Sequence, residues 1–185
     1  MRDIPRFAAI LMLVAALAAG SLAWVNEITK PLINEQEKGE LEIAKHEVLP
    51  NAKTFNEVKS EGEILLYQGF SDNGKLIGYV FQAEGDGYAG TIKTIVGIDT
   101  LFIIQAIKIL SQQETPGLGT QCEEIRSGEE TPWWCRQFSG KNAKNIQVIK
   151  DGGQIEAITG ATITSRAITN AIAEKAVLLQ NFLKQ

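Results

Sequence analysis

From Phe7 to Val25 the sequence FAAILMLVAALAAGSLAWV carries no charge. A helix of that length spans about 28 Å at roughly 1.5 Å per residue, close to the hydrocarbon thickness of a bilayer. The stretch predicts one transmembrane helix over residues 7–25 and separates it from everything that follows. Arg2 and Arg6 precede it, whereas the first charge after it is Glu27. The positive-inside bias therefore keeps residues 1–6 in the cytoplasm and places 26–185 on the far side of an inner or plasma membrane. A cleaved signal peptide competes with this, since Ala18, Ala19, Gly20 and Ser21 resemble a processing site. The apolar run continues past them to Trp24, an interfacial residue type, which favours an uncleaved anchor. Either way the rest of the chain is exported.

The remainder has room for one ordinary domain. With 44% hydrophobic and 22% charged residues, neither disorder nor a multi-span protein is indicated. The chain carries a net charge of −4, and the exported part is more acidic still because Arg2 and Arg6 lie before it. An acidic domain without a basic run repels a phosphate backbone, which argues against nucleic acid and against a polybasic contact with lipid. Export gives the two cysteines weight. A Cys122–Cys135 disulfide is favoured and would contribute about 3 kcal/mol by closing a short loop. Two thiols alone make a poor metal site, and His46, in the charged stretch AKHEV, reads as a solvated residue, so no metal is expected. No Ser-His-Asp or Cys-His set can be assembled, and no catalytic residue is assigned.

Along residues 26–50, Leu32, Ile33, Leu41, Ala44 and Val48 recur at helical spacing among many charges, predicting a helical stalk that ends at Pro50. Domain 51–185 then opens with β-rich sequence. Ile64–Phe70 and Lys75–Gln82 flank Asp72-Asn73-Gly74 and predict a hairpin. Thr91–Ile98 and Leu101–Leu110 predict a second, around Asp99-Thr100, with both strands largely buried. Residues 111–143 are irregular, with a short helical stretch near Gln121–Arg126. Ile146–Lys150 and Ile155–Ile158 predict a third hairpin through Asp151-Gly152-Gly153. From Ile163 onward, Ile168, Ala171, Ile172, Ala176, Leu179 and Leu183 form one helical stripe. The strand-then-helix order predicts an α+β fold: a mainly antiparallel sheet with a long C-terminal helix, behind a single N-terminal transmembrane helix.

The chemistry concentrates where the last strand turns into that helix, at Thr159-Gly160-Ala161-Thr162-Ile163-Thr164-Ser165. The unpaired N–H groups and positive dipole end of a helix start attract phosphate, and Gly160 and Ala161 permit close approach. Spacing alone favours Thr159 or Thr162 acting as an ordinary helix cap with no ligand. The lysine and six-residue loop of a P-loop are missing.

Thr159-Gly160-Ala161-Thr162, with Asp151 upstream, resembles the flavinylation motif of the FMN-binding domain family. Gly87-Tyr88-Ala89-Gly90-Thr91-Ile92 resembles that family's glycine-tyrosine element. Glu114-Thr115-Pro116-Gly117-Leu118-Gly119 resembles its glutamate-to-glycine loop, and Trp134 and Phe138 fit its tryptophan-to-phenylalanine stretch. In order and extent the motifs are similar to the G subunits of Rnf (Rsx) ion-translocating electron-transport complexes. These share the domain with the C subunits of sodium-pumping NADH:quinone oxidoreductases. The resemblance implies FMN (flavin mononucleotide) joined covalently through its phosphate to Thr162. It further implies a cofactor site of Thr159, Gly160, Ala161, Thr164, Tyr88, Glu114, Thr115, Gly117, Leu118 and Gly119. Implied partners are the other membrane and iron-sulfur subunits of the complex and a flavin transferase for maturation. The implied role is electron transfer within an oxidoreductase and translocase, without catalysis by the chain alone. Cys122 and Cys135 are no part of the motif. Two other classes remain: a domain holding FMN or another phosphorylated ligand reversibly, and a structural subunit of a membrane complex.

Overall fold

The computed structural model describes residues 3–60 and 63–184. The expectations for Arg2 and for the chain's last residue lie outside them. The chain divides into two compact units, Met1–Leu41 and Glu42–Gln185. Helix α1 runs Asp3–Val48, with Pro31 inside it removing one backbone donor without ending it. Within the first unit the large apolar side chains from Ile4 to Ile33 are exposed, and the helix is long and apolar enough to cross a membrane.

In the second unit five strands form an antiparallel meander in the order β1-β2-β3-β4-β5: β1 Thr54–Ser60, β2 Glu63–Phe70, β3 Leu76–Asp86, β4 Thr91–Asp99 and β5 Ile104–Ser111. Helix α2, Thr162–Leu183, follows four short 3-10 helices. Strand alternation sorts the sheet into two faces, and both are covered. Phe81, Val96, Ile98, Ile104 and Ile107 form one core with Trp134, Phe138 and the α2 residues Ile168, Ile172, Ala176 and Leu179. Val80 and Ile95 point the other way and are fully buried. There the end of α1 lies on the sheet: a Cβ on Gly97 would sit 2.1 Å from the Val48 carbonyl oxygen, and one on Gly69 would sit 2.6 Å from the Leu49 side chain. Lys45 closes that side, its amine 4.4 Å from the Tyr67 ring centre and paired with Glu42 at 2.7 Å. His46 is exposed, edge-on to Phe55.

The α+β architecture, the Asn73-Gly74 hairpin, the β4–β5 hairpin and the terminal helix follow expectation, with boundaries shifted by a few residues. β4 is largely buried, but β5 alternates between buried and half-exposed positions. Strand β1 is not predicted by pattern, because none of its residues is fully buried and only Phe55 and Val58 are apolar. The helical stretch near Gln121–Arg126 is a 3-10 helix, Gly119–Glu123.

Two expectations are corrected. Residues 146–158 are not a hairpin: Val148 and Ile155 form one isolated parallel bridge. Gly152 adopts φ +87, and Gly153 packs so tightly that a Cβ would lie 2.0 Å from the Gln147 carbonyl oxygen. The chain thus folds back over itself, with Gly153 N–H donating to Val148 and Gln154 N–H to Gln147. Nor is the Cys122–Cys135 disulfide formed. Both are free, buried thiols, and Cys135 Sγ donates to the Cys122 carbonyl at 3.2 Å. They serve as core residues, for which burial favours the uncharged thiol.

Gly85 sets how close α2 comes, since a Cβ there would meet the Ala167 carbonyl oxygen at 2.3 Å. Gly85→Ala is expected to cost about 2 kcal/mol in thermal unfolding. Gly39→Ala, where nothing lies within 4 Å, should leave stability unchanged or slightly raised. Burial pushes Cys122 from 9.0 up to about 12 and Cys135 upward too. Because the folded values are raised, the thiol contribution to stability is full below the unfolded value of 9.0 and declines as pH rises toward about 12. Alkylation followed by mass should find both thiols unreactive in the folded chain near pH ~8 and both modified in urea.

Candidate functional site

Glu114, just past the end of β5, is only 5% exposed, and two segments distant in sequence meet on its carboxylate. Its Oε1 accepts the Ala89 N–H at 2.9 Å, which ties down the turn between β3 and β4. Its Oε2 accepts the buried Thr164 hydroxyl in the first turn of α2. Gln112 Oε1 accepts the Glu114 N–H at 2.7 Å and fixes the backbone beneath it. Two glycines make room. A Cβ on Gly87 would fall 2.5 Å from Oε1, and one on Gly119 would fall 2.6 Å from Oε2. Charge-assisted hydrogen bonds of this kind offset the desolvation of a buried carboxylate and fix its neighbours in position.

The start of α2 is unusual in what it leaves free. Ala161 occupies the N-cap position, at φ −131 and ψ 47, and no side chain caps the helix. Thr162 is the first helical residue, and its hydroxyl is not used for capping. It is half-buried and accepts a hydrogen bond from Lys150 Nζ at 3.1 Å. Ser165 is committed elsewhere: its Oγ accepts the Ile158 N–H at 2.9 Å and donates to the Ala161 carbonyl at 3.1 Å, pinning the preceding segment. Asp151 and Arg166 form a two-point pair, Nε–Oδ2 2.7 Å and Nη2–Oδ1 2.6 Å. The hydrogen bond from Arg166 holds the Asp151 carboxyl below its ordinary value, and the charges of Arg166 and Lys150 add to this.

The residues expected at the site come together unevenly. Leu118 rests against Gly160, where a Cβ would lie 3.0 Å from it and where φ is +77. Gly117 takes φ +75, a conformation that favours glycine, and Thr120 Oγ1 accepts its N–H at 3.0 Å. Thr115 and Thr159 are exposed, Gly119 and Ala161 buried. Tyr88 is 73% exposed and Leu118 43%, so neither serves as core. Trp134 and Phe138 do, stacked edge to face, and Trp134 Nε1 donates to the Glu156 carbonyl at 2.7 Å, steadying the approach to Thr159. Sequence reasoning misses Lys150, Gln112 and Thr120. The lysine is adjacent to the Asp151-Gly152-Gly153 turn, but only the fold-back of that turn brings it to Thr162. Glu114→Ala would leave the buried Thr164 hydroxyl without its acceptor, so a loss of about 1–3 kcal/mol is expected, with faster hydrogen exchange at the Ala89 amide.

Comparison with known proteins bears on this arrangement. Residues 87–176, which contain every segment meeting at Glu114, match the FMN-binding domain family. Residues 1–58 match the RnfG N-terminal region. The chain is 34% identical to the G subunit of the Na(+)-translocating ferredoxin:NAD(+) oxidoreductase complex of Acetobacterium woodii, over 95% of this chain and 91% of that one. It is 35% identical to the G subunit of the ion-translocating oxidoreductase complex of Shewanella piezotolerans, covering 88% and 83%. A similar solved structure, NqrC of Shewanella oneidensis, covers 66% of this chain and 64% of that one at 22% identity, with a TM-score of 0.47. With such identity along nearly its whole length, and both segments matched in their expected order, the chain belongs to the family of G subunits of Rnf-type ion-translocating oxidoreductase complexes.

Proposed function

We propose that this chain carries FMN covalently, through a phosphoester to Thr162 Oγ1, and passes electrons between other carriers of a membrane-bound ion-translocating oxidoreductase complex. The observation that carries the reading is the state of Thr162: a hydroxyl at the first residue of an uncapped helix, bonded to a lysine and open to a partner. The residues fit the group. The helix start offers N–H donors to phosphoryl oxygens, and Lys150 adds a positive charge. Exposed Tyr88 and Leu118, on the two loops joined through Glu114, supply apolar surface for a flavin ring. The Gly117–Gly119 turn, with no side chain at either of its ends, lets the backbone come close to such a ring. When bound, FMN supplies one- and two-electron exchange. Glu114 does not need to touch it. By joining the β3–β4 turn to α2, this carboxylate holds the ring-binding loops at a constant distance from the attachment point.

Thr162 acquires the group from a separate flavin transferase acting on flavin adenine dinucleotide, with the chain as substrate. The transmembrane helix keeps the domain near the other membrane and iron-sulfur subunits. The apolar run, which continues to Trp24, supports an uncleaved span over residues 7–25, and Arg6 before it with Glu27 after it supports placing the stalk 26–50 and the domain 51–185 on the periplasmic or extracellular side.

Chain purified from its own membranes should carry fluorescent flavin that stays with the polypeptide in a denaturing gel, with the intact mass raised by the FMN phosphoryl adduct. Thr162→Ala should lose both signals while melting with flavin-free parent chain. Flavin that is released on denaturation would establish reversible binding instead. A flavin-free chain from a host that has the transferase would leave a structural role.

A further inference from the structure

Lys150 is placed with more care than a surface lysine requires. It lies in the 3-10 turn Ile149–Asp151, which is anchored at both ends: Ile149 N–H donates to the Ile155 carbonyl at 2.8 Å and Gly152 N–H to Ile149 at 3.0 Å. Gly153, pressed against Gln147, leaves the turn no room to shift. Its neighbour Asp151 is the carboxylate that would otherwise attract the amine, but both oxygens of Asp151 are taken by Arg166. Lys150 instead donates its hydrogen bond to the neutral oxygen of Thr162. The three charged groups Lys150, Asp151 and Arg166 therefore leave one positive charge in excess, and Lys150 directs it at Thr162 Oγ1.

We propose that Lys150 is a positioning residue for phosphoryl transfer to Thr162, holding its oxygen and then pairing with the phosphodiester formed on it. The inference rests on the covalent reading above and assigns to Lys150 a role in reaching it. In the step, Thr162 Oγ1 forms a bond to the FMN phosphorus of flavin adenine dinucleotide. The pyrophosphate bond to the adenylate half breaks, AMP leaves, and the hydroxyl proton passes to the transferase or to water. No electrons change hands. An ammonium cannot take that proton. By donating to Oγ1 it leaves the oxygen lone pair oriented and the O–H free for removal. It also opposes the single negative charge that the phosphodiester brings, which makes the cluster neutral. Arg166, occupied by Asp151, is not available for this. Arginine at position 150 keeps the charge and the donor, whereas glutamine keeps a donor and loses the charge.

The test uses full-length chain in detergent, prepared without flavin and treated with purified flavin transferase and flavin adenine dinucleotide at limiting enzyme. Attachment is followed by intact mass. Lys150→Gln should load about tenfold more slowly than the parent, as expected for loss of one charge-assisted contact in the transfer step. Lys150→Arg should stay within about twofold of the parent. Both unloaded variants should melt with the parent, and added salt should slow the parent more steeply than Lys150→Gln. Loading of Lys150→Gln at the parental rate, equal slowing of both variants, or identical salt dependence would overturn the assignment while leaving covalent attachment intact. Failure of the parent itself to load would remove the covalent reading, and the role of Lys150 with it.

Discussion

A single buried carboxylate holds this domain's working end together. Glu114 follows the last strand, and its two oxygens reach the β3–β4 turn and the first turn of α2, segments separated from it by 25 and 50 residues. Those two segments share no hydrogen-bond ladder, and Glu114 is the side chain that ties one to the other. A buried carboxylate is costly unless its oxygens find donors, and each oxygen of Glu114 finds one. Gly87 and Gly119 contribute by what they lack, since a side chain on either would occupy the volume of the carboxylate.

The rest of the second unit supports that junction. A meander sheet presents two faces, and this one is covered on both, by α2 with the irregular segment on one side and by the end of α1 on the other. Close backbone approach does the positioning. Gly85 brings the first turns of α2 onto β3, and Gly97 does the same for Val48 on β4. Trp134, fully buried, reaches through the core to the Glu156 carbonyl and restrains the chain just before it enters the site. The site thus stands on rigid elements, while the groups it presents outward, Tyr88, Leu118 and Thr162, remain at the surface.

The sequence discloses what is local and periodic. The apolar run of α1, the Asn73-Gly74 turn and the stripe Ile168-Ile172-Ala176-Leu179 can be read directly, because each is a repeat or a short turn with its own physics. Thr162, Glu114 and Gly117 are identified as a set by resemblance, whereas chemistry alone makes Thr162 an ordinary cap candidate. The rest depends on long-range placement. Strand β1 has too few apolar residues to announce itself, and the run from Ile146 to Ile158 has strand-like residues in a segment that folds back. Cys122 and Cys135 suggest a bond from their compartment and spacing, but the fold uses them as core. Lys150 is invisible until the turn brings it to Thr162.

The open start of α2 has a thermodynamic consequence. Helices that begin without a side-chain cap forgo about 1 kcal/mol, and here the deficit falls on the residue proposed to carry the cofactor. An anion attached at that point supplies what the cap would have supplied. A reversibly bound ligand stabilises a fold to a degree that rises with the logarithm of its concentration, but a covalent one does so whatever the surrounding supply. On the proposed reading the helix end records maturation: chains that never received the group would be the less stable members of the population and the first to be lost to proteolysis.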